Sequence, residues 1–164
     1  MEKKIISSIP EENEIIPIKR DGNCAYRAIL QSLNELEDYI SLRKMTAQKI
    51  KKDGLEEDYY LERNCNSLDE YVKKIELTSF YADEPELIAI SKIKKIWISI
   101  YDQNRNTWKI IKNDQNSKPL GIAFICFHDT GNYLSCHYNA IKLCNNCAPE
   151  SQKNIEKKQE KPKN

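Results

Sequence analysis

At Ile96 the hydrophobic pattern of this chain changes period, and that change constrains the fold more than any other feature. Before it, apolar residues recur every three or four positions. Leu68, Tyr71, Val72 and Ile75 follow Ser67-Leu68-Asp69-Glu70, a capping-box pattern with Ser67 as N-cap and Glu70 reaching back. Leu42, Met45, Thr46 and Ile50 line one side of a helix predicted over Asp38 to Lys52, with Gly54 as its stop. Asp83-Glu84-Pro85-Glu86 opens another helix with acids and Pro in its first turn, running to about Ile93. After the change, Ile96 to Tyr101 and Thr107 to Lys112 are β-branched and aromatic, joined by a polar hairpin-like loop over Asp102 to Asn106. Gly121 to Phe127 is nearly all apolar and reads as the central strand. Asp129-Thr130-Gly131-Asn132 is a turn, and Tyr133 to Leu143 is a fourth strand. Helices first and strands second imply an α+β domain with a small, mostly antiparallel sheet flanked by helices.

The domain spans 15–143. Residues 1–14 are expected as a flexible polar arm, and 144–164 as a disordered polar tail, rich in Lys, Glu, Gln and Asn with almost nothing to bury. Ile15-Ile16-Pro17-Ile18 is an edge strand or an extended lead-in, because Pro17 excludes a central position. Lys51 to Asn66 is a charged loop with room for a short helix. The formal net charge of +1, with no basic stripe, argues against a nucleic-acid partner. No apolar run approaches a membrane span. Six cysteines without a secretory signal point to free thiols in a reducing compartment, with the cytosol as the default.

Chemistry concentrates at two places. In Asp21-Gly22-Asn23-Cys24-Ala25-Tyr26-Arg27-Ala28, a cysteine follows a tight polar turn and begins a helical pattern through Ala25, Ala28, Ile29 and Leu33. A thiol at a helix N-terminus meets unpaired N–H groups and the positive end of the macrodipole, a setting that favours thiolate. The same pattern also fits a small buried cysteine. The second place is Cys136-His137-Tyr138-Asn139-Ala140-Ile141. His137 and Asn139 project from one strand face, roughly 7 Å apart along the chain. An Asn carboxamide oxygen there can accept from one imidazole N–H and leave the other nitrogen to face a thiol, as a Cys-His-Asn triad requires. Tyr138 points the other way and is packing; His128, the second of the two histidines, is expected at the surface.

The octapeptide Asp21 to Ala28 resembles the nucleophile motif of the ovarian-tumour (OTU) cysteine proteases. His137-Tyr138-Asn139-Ala140-Ile141 resembles their closing motif, and Tyr81-Ala82-Asp83-Glu84-Pro85-Glu86-Leu87-Ile88-Ala89-Ile90-Ser91 resembles their central segment. The resemblance implies a papain-like OTU fold and a monomeric deubiquitinase that cleaves after ubiquitin's C-terminal Gly-Gly, without cofactor or metal. Its partners would be ubiquitin, polyubiquitin chains and ubiquitinated proteins, in the cytosol, or the host cytosol for a pathogen product. It makes Cys24 the nucleophile, His137 the general base and then acid, and Asn139 the residue that orients the ring. Asp21 takes the position whose backbone helps shape the oxyanion hole, with the Cys24 N–H as second donor. The central motif departs from the family's usual Trp-Gly: Tyr81 keeps an aromatic, and Ala82 removes backbone freedom.

Two other readings compete. Cys136, His137 and Cys144-Asn145-Asn146-Cys147 can be drawn as a zinc site, although neighbours on a strand point to opposite faces. A catalytically silent ubiquitin-binding relative is the other, and the complete residue set argues against it. Of the remaining thiols, Cys126 is expected in the core, and Cys65, Cys144 and Cys147 in loops or at strand ends. Glu56-Glu57-Asp58 is expected as a solvated surface, with a weaker role in attracting arginines near ubiquitin's C-terminus.

Overall fold

The computed structural model describes residues 13–77, 79–113, 118–129 and 136–143. The arm before residue 13, most of the 129–132 turn, the start of the last predicted strand, and Cys144 and Cys147 lie outside the described residues. Ten elements follow in chain order: β1 (Glu14–Ile16), α1 (Cys24–Ser32), α2 (Tyr39–Asp53), α3 (Glu57–Leu61), α4 (Leu68–Ile75), α5 (Glu84–Lys94), β2 (Trp97–Asp102), β3 (Thr107–Ile111), β4 (Ile122–His128) and β5 (His137–Lys142). No described helix is long and apolar enough to cross a membrane.

The strands form one sheet in the order β1-β5-β4-β2-β3. β4 is central, as its unbroken apolar run predicts, and β1 with its following Pro17 is an edge. The β2–β3 hairpin, β4–β5 and β1–β5 are antiparallel. β4 runs parallel to β2, because the chain crosses back after β3 and restarts beside Trp97, opposite Ile122.

Helix α1 lies on β5 and β4. Ala25, Ala28 and Ile29 meet Ile98, Ile125, Tyr138 and Ala140 in one core layer. A second cluster joins Ala47 and Ile50 of α2 to Tyr71 and Ile75 of α4 and Ala89 of α5. The opposite sheet face gathers Tyr101, Phe124, Cys126 and Ile141.

Start and stop signals act locally. Asp38 accepts from the Ile40 N–H at the head of α2, and Gly54, at φ 80°, ends it. Ser67 Oγ accepts from the Glu70 N–H at 3.1 Å, but the Glu70 carboxylate takes the N–H of Asn66 rather than that of Ser67. The full capping box belongs to Asp83 and Glu86 at α5. Two expectations fail through helix rotation and loop path. Met45 is exposed, and the buried face of α2 carries Leu42, Arg43, Thr46, Ala47 and Ile50. Cys65 is in a loop as expected, yet it is buried in the second cluster between α3 and α4.

Candidate active site

The turn before α1 is built by Asp21. Its Oδ1 accepts from the Asn23 N–H at 2.9 Å, and its Oδ2 pairs with Arg27 Nη1 at 2.8 Å. Asn23 occupies the N-cap position without capping the helix; its side-chain oxygen turns to Arg43 Nη1 instead, at 3.3 Å. Cys24 is the first residue of α1, and its N–H makes a long 3.3 Å bond to the Asp21 carbonyl. The backbone N–H groups of Tyr138 and Ala25 lie close enough to the thiol to favour its ionised form, which sets it against β5 one residue from His137.

The electrostatic expectation for this thiol is overturned. Cys24 is 1% exposed, and burial pushes its pKa above the ordinary 9.0. The helix-terminal and Tyr138 N–H groups pull the other way without prevailing, and the Asp21 carboxylate adds repulsion. The resting group is therefore a thiol. Alkylation of Cys24 by iodoacetamide, which needs the thiolate, should be slow at neutral pH and still be climbing above pH 9.0. A rate already level at neutral pH would contradict this.

On β5, His137 and Asn139 share a face as the strand period requires. His137 Nε2 lies 2.8 Å from Asn139 Oδ1, and the same oxygen accepts the Ile18 N–H at 2.8 Å. A peptide N–H can only donate, so the atom facing both groups is the carboxamide oxygen, and Nε2 must carry the proton. The neutral ring therefore keeps its lone pair on Nδ1, which is buried and, among the described residues, has no hydrogen-bond partner. Burial lowers the His137 pKa below its ordinary 6.5, against the pull of the Asn139 bond, and Arg20 adds repulsion to the same effect. Tyr138 packs in the core, as expected. His128 ends β4 directly across from His137 and is half-buried.

Beside these residues lies a groove of about 850 Å³, lined among others by Arg63, Phe80, Tyr81, Asp83, Phe127 and Tyr138. The Phe127 and Tyr138 rings meet there at 5.1 Å. The Tyr81 carbonyl accepts from Arg63 Nη2 at 2.6 Å. Ala82 is not among the residues with positive φ, so this loop does not need the glycine it lacks.

Three charged residues that organise the site were not singled out by sequence reasoning. Arg43 and Glu86 are 1% and 0% exposed. Glu86 accepts from the Tyr71 hydroxyl and from the Asp83 N–H, and lies 3.6 Å from Arg63 Nη1. The available signal was position: Arg43 and Glu86 fall on the faces of α2 and α5 that the apolar periodicity assigns to the core.

Of the four residues that can be drawn as a zinc site, Cys144 and Cys147 lie outside the described residues. Cys136 Sγ leans towards Asp129 at 3.8 Å, and His137 Nε2 is committed to Asn139. No group of three metal-ligating side chains occurs among the described residues. The acidic run Glu56-Glu57-Asp58 is exposed where α3 begins.

Fold and site together define an α+β domain of the cysteine-protease type, with a cysteine-headed helix packed on the strand that carries a His-Asn pair. A profile of the OTU-like cysteine proteases matches residues 19–138, and the chain belongs to that family. Solved structures with the same fold include an ovarian-tumour (OTU) domain in complex with ubiquitin, at 19% identity and a TM-score of 0.63. That match covers 88% of this chain and 84% of the other. An OTU deubiquitinase from Wolbachia pipientis wMel bound to ubiquitin gives 14% identity and a TM-score of 0.57, over 81% and 97% of the two chains. The OTU of Hazara virus bound to ubiquitin gives 16% and 0.57, over 84% and 85%. No curated protein matches the chain by sequence.

Proposed function

We propose that this chain is a deubiquitinating thiol isopeptidase in which Cys24 is the nucleophile, His137 the base and acid, and Asn139 the residue that orients the ring. One observation carries the reading: Ile18, Asn139 and His137 fix the imidazole tautomer, leaving the open lone pair on buried Nδ1 beside the strand residue that contacts the Cys24 thiol. Ubiquitin as partner is supported by the ubiquitin complexes of the structural neighbours.

The steps follow from those atoms. The Cys24 thiol gives its proton to His137 Nδ1 as sulfur bonds to the carbonyl carbon of ubiquitin's terminal glycine. The resulting oxyanion is held by backbone N–H groups at the Asp21 turn. The Cys24 N–H suits this, because its 3.3 Å bond to Asp21 is at the weak end of the range and easily exchanged. The carbon–nitrogen bond then breaks, the lysine amine leaving with the Nδ1 proton. Water attacks the thioester with His137 again as base, releasing the ubiquitin carboxylate and the thiol. Because the starting pair is neutral, His137 acts by general-base catalysis rather than within a preformed ion pair. The lowered His137 pKa puts the acid limb of kcat/KM below pH 6.5.

A ubiquitin-binding module without turnover is the second reading, and the buried, protonated thiol is what favours it. Hydrolysis of a fluorogenic amide at ubiquitin's C-terminus separates the two. We expect turnover that Cys24→Ala abolishes; binding without turnover by the unaltered protein would establish the module. In this reading the enzyme works as a monomer in the cytosol, where its thiols stay reduced.

A further inference from the structure

Arg43 is fully enclosed, and its guanidinium touches two segments that nothing in the sequence connects. Nη1 donates to the Gly22 carbonyl at 3.0 Å and to Asn23 Oδ1 at 3.3 Å. Nε donates to the Leu77 carbonyl at 3.0 Å, and Nη2 to the Leu77 and Phe80 carbonyls. The cation also lies 4.7 Å from the centre of the Tyr26 ring. Among the described residues its hydrogen bonds all go to neutral oxygens, while the Glu86 and Asp21 carboxylates act on the charge only from a distance, each paired with another arginine. Burying a charge this way is costly, and a clamp needing only hydrogen bonds could be neutral.

The Gly22–Asn23 peptide shows what the clamp does. Its carbonyl is held by Arg43, and its N–H by Asp21 Oδ1. With the Arg43 end released, one bond would hold this plane, and the carbonyl could swing towards the site of the developing oxyanion. A negative dipole there opposes the reaction. At its other end the guanidinium holds the strand of loop that leads into Tyr81, Ala82 and Asp83 of the groove, which Arg63 grips from the far side through the Tyr81 carbonyl and the Phe80 ring.

We propose that Arg43 is a positioning residue: its planar fork locks the turn that presents Cys24 to the loop that walls the groove, so that both keep one geometry when the ubiquitin tail enters. This rests on the reading of Cys24 as nucleophile. Lysine can hold the charge but not the fork, so Arg43→Lys separates the two contributions. The sites of each protein are first counted by reaction to completion with ubiquitin carrying a C-terminal electrophile, and kcat on the fluorogenic ubiquitin amide is expressed per counted site. We expect kcat per site to fall roughly tenfold or more in Arg43→Lys, in line with the cost of small misplacements of reacting groups. A residue that only supports the fold would lower the melting temperature and the number of competent sites, and leave kcat per site unchanged. That result would overturn the proposal. Should Arg43→Lys fail to fold, Asn23→Ala removes one acceptor of the fork without removing the charge. A fall of about threefold per site supports the clamp and an unchanged kcat overturns it. Absence of both labelling and turnover in the unaltered enzyme would instead overturn the functional reading itself.

Discussion

Replacing His137 with alanine should lower kcat/KM on a ubiquitin C-terminal amide by about 10²–10⁴-fold, the range for losing a positioned acid–base group. The size follows from the state of the thiol. A preformed thiolate would still attack without its histidine, only less well. Burial outweighs the helix-terminal N–H groups and holds the Cys24 pKa above its ordinary value, so the proposed reaction needs Nδ1 to remove a proton. Asn139→Ala should cost less, about 10-fold to 10²-fold: the ring remains, but Nε2 and the Ile18 N–H both lose their acceptor. Asn139→Asp restores an acceptor and adds a negative charge beside the ring, which raises the His137 pKa and moves the acid limb of kcat/KM upward. A His137→Ala enzyme within a few-fold of the original would contradict this order.

The second large effect concerns stability. Glu86→Ala should destabilise the fold by about 3–5 kcal/mol, measured by urea unfolding, because it strands the fully buried Tyr71 hydroxyl and leaves the mostly buried Arg63 without the anion beside it. The Tyr71 hydroxyl and the Asp83 N–H lose their acceptor, and Arg63 loses its nearest anion. Glu86→Gln keeps an oxygen and an amide in the same space and should cost clearly less. The pair also carries a pH signature. Burial raises the Glu86 pKa above the ordinary 4.5, so the folded state holds this proton more tightly than the unfolded chain does. That contribution is fully present below pH 4.5 and is lost as pH rises through the folded-state value. Glutamine cannot ionise and should remove this part of the pH dependence. Equal stabilities for the alanine and glutamine variants would show that the hydrogen bonds contribute nothing.

The features readable from the sequence are those set by local period and local chemistry. Strand alternation puts His137 and Asn139 on one face, the Asp21-Gly22-Asn23 turn starts α1 at Cys24, Pro17 keeps β1 at an edge, and the apolar run of β4 makes it central. What escapes is set by neighbours distant in the chain. The Cys24 thiolate was expected from helix position alone, but its pKa is decided by the strand and turn that bury it. Met45 and Arg43 exchange the places that hydrophobicity assigns them, because the carbonyls of Gly22, Leu77 and Phe80 converge on one side of α2 and supply the acceptors a guanidinium needs. His128 faces His137 only through the β4–β5 register, which no single strand encodes. The parallel pairing of β2 and β4 is likewise invisible in strands that look alike.

In the proposed reaction the thiol at the head of α1 attacks the carbonyl at the end of ubiquitin. Ubiquitin carrying a C-terminal electrophile, followed by peptide mapping of the adduct by mass spectrometry, locates the attacking atom. One ubiquitin is expected at Cys24, attached more slowly in His137→Ala and not at all in Cys24→Ala. An adduct at Cys136 or another thiol, or no adduct on a folded protein that binds ubiquitin, would contradict it.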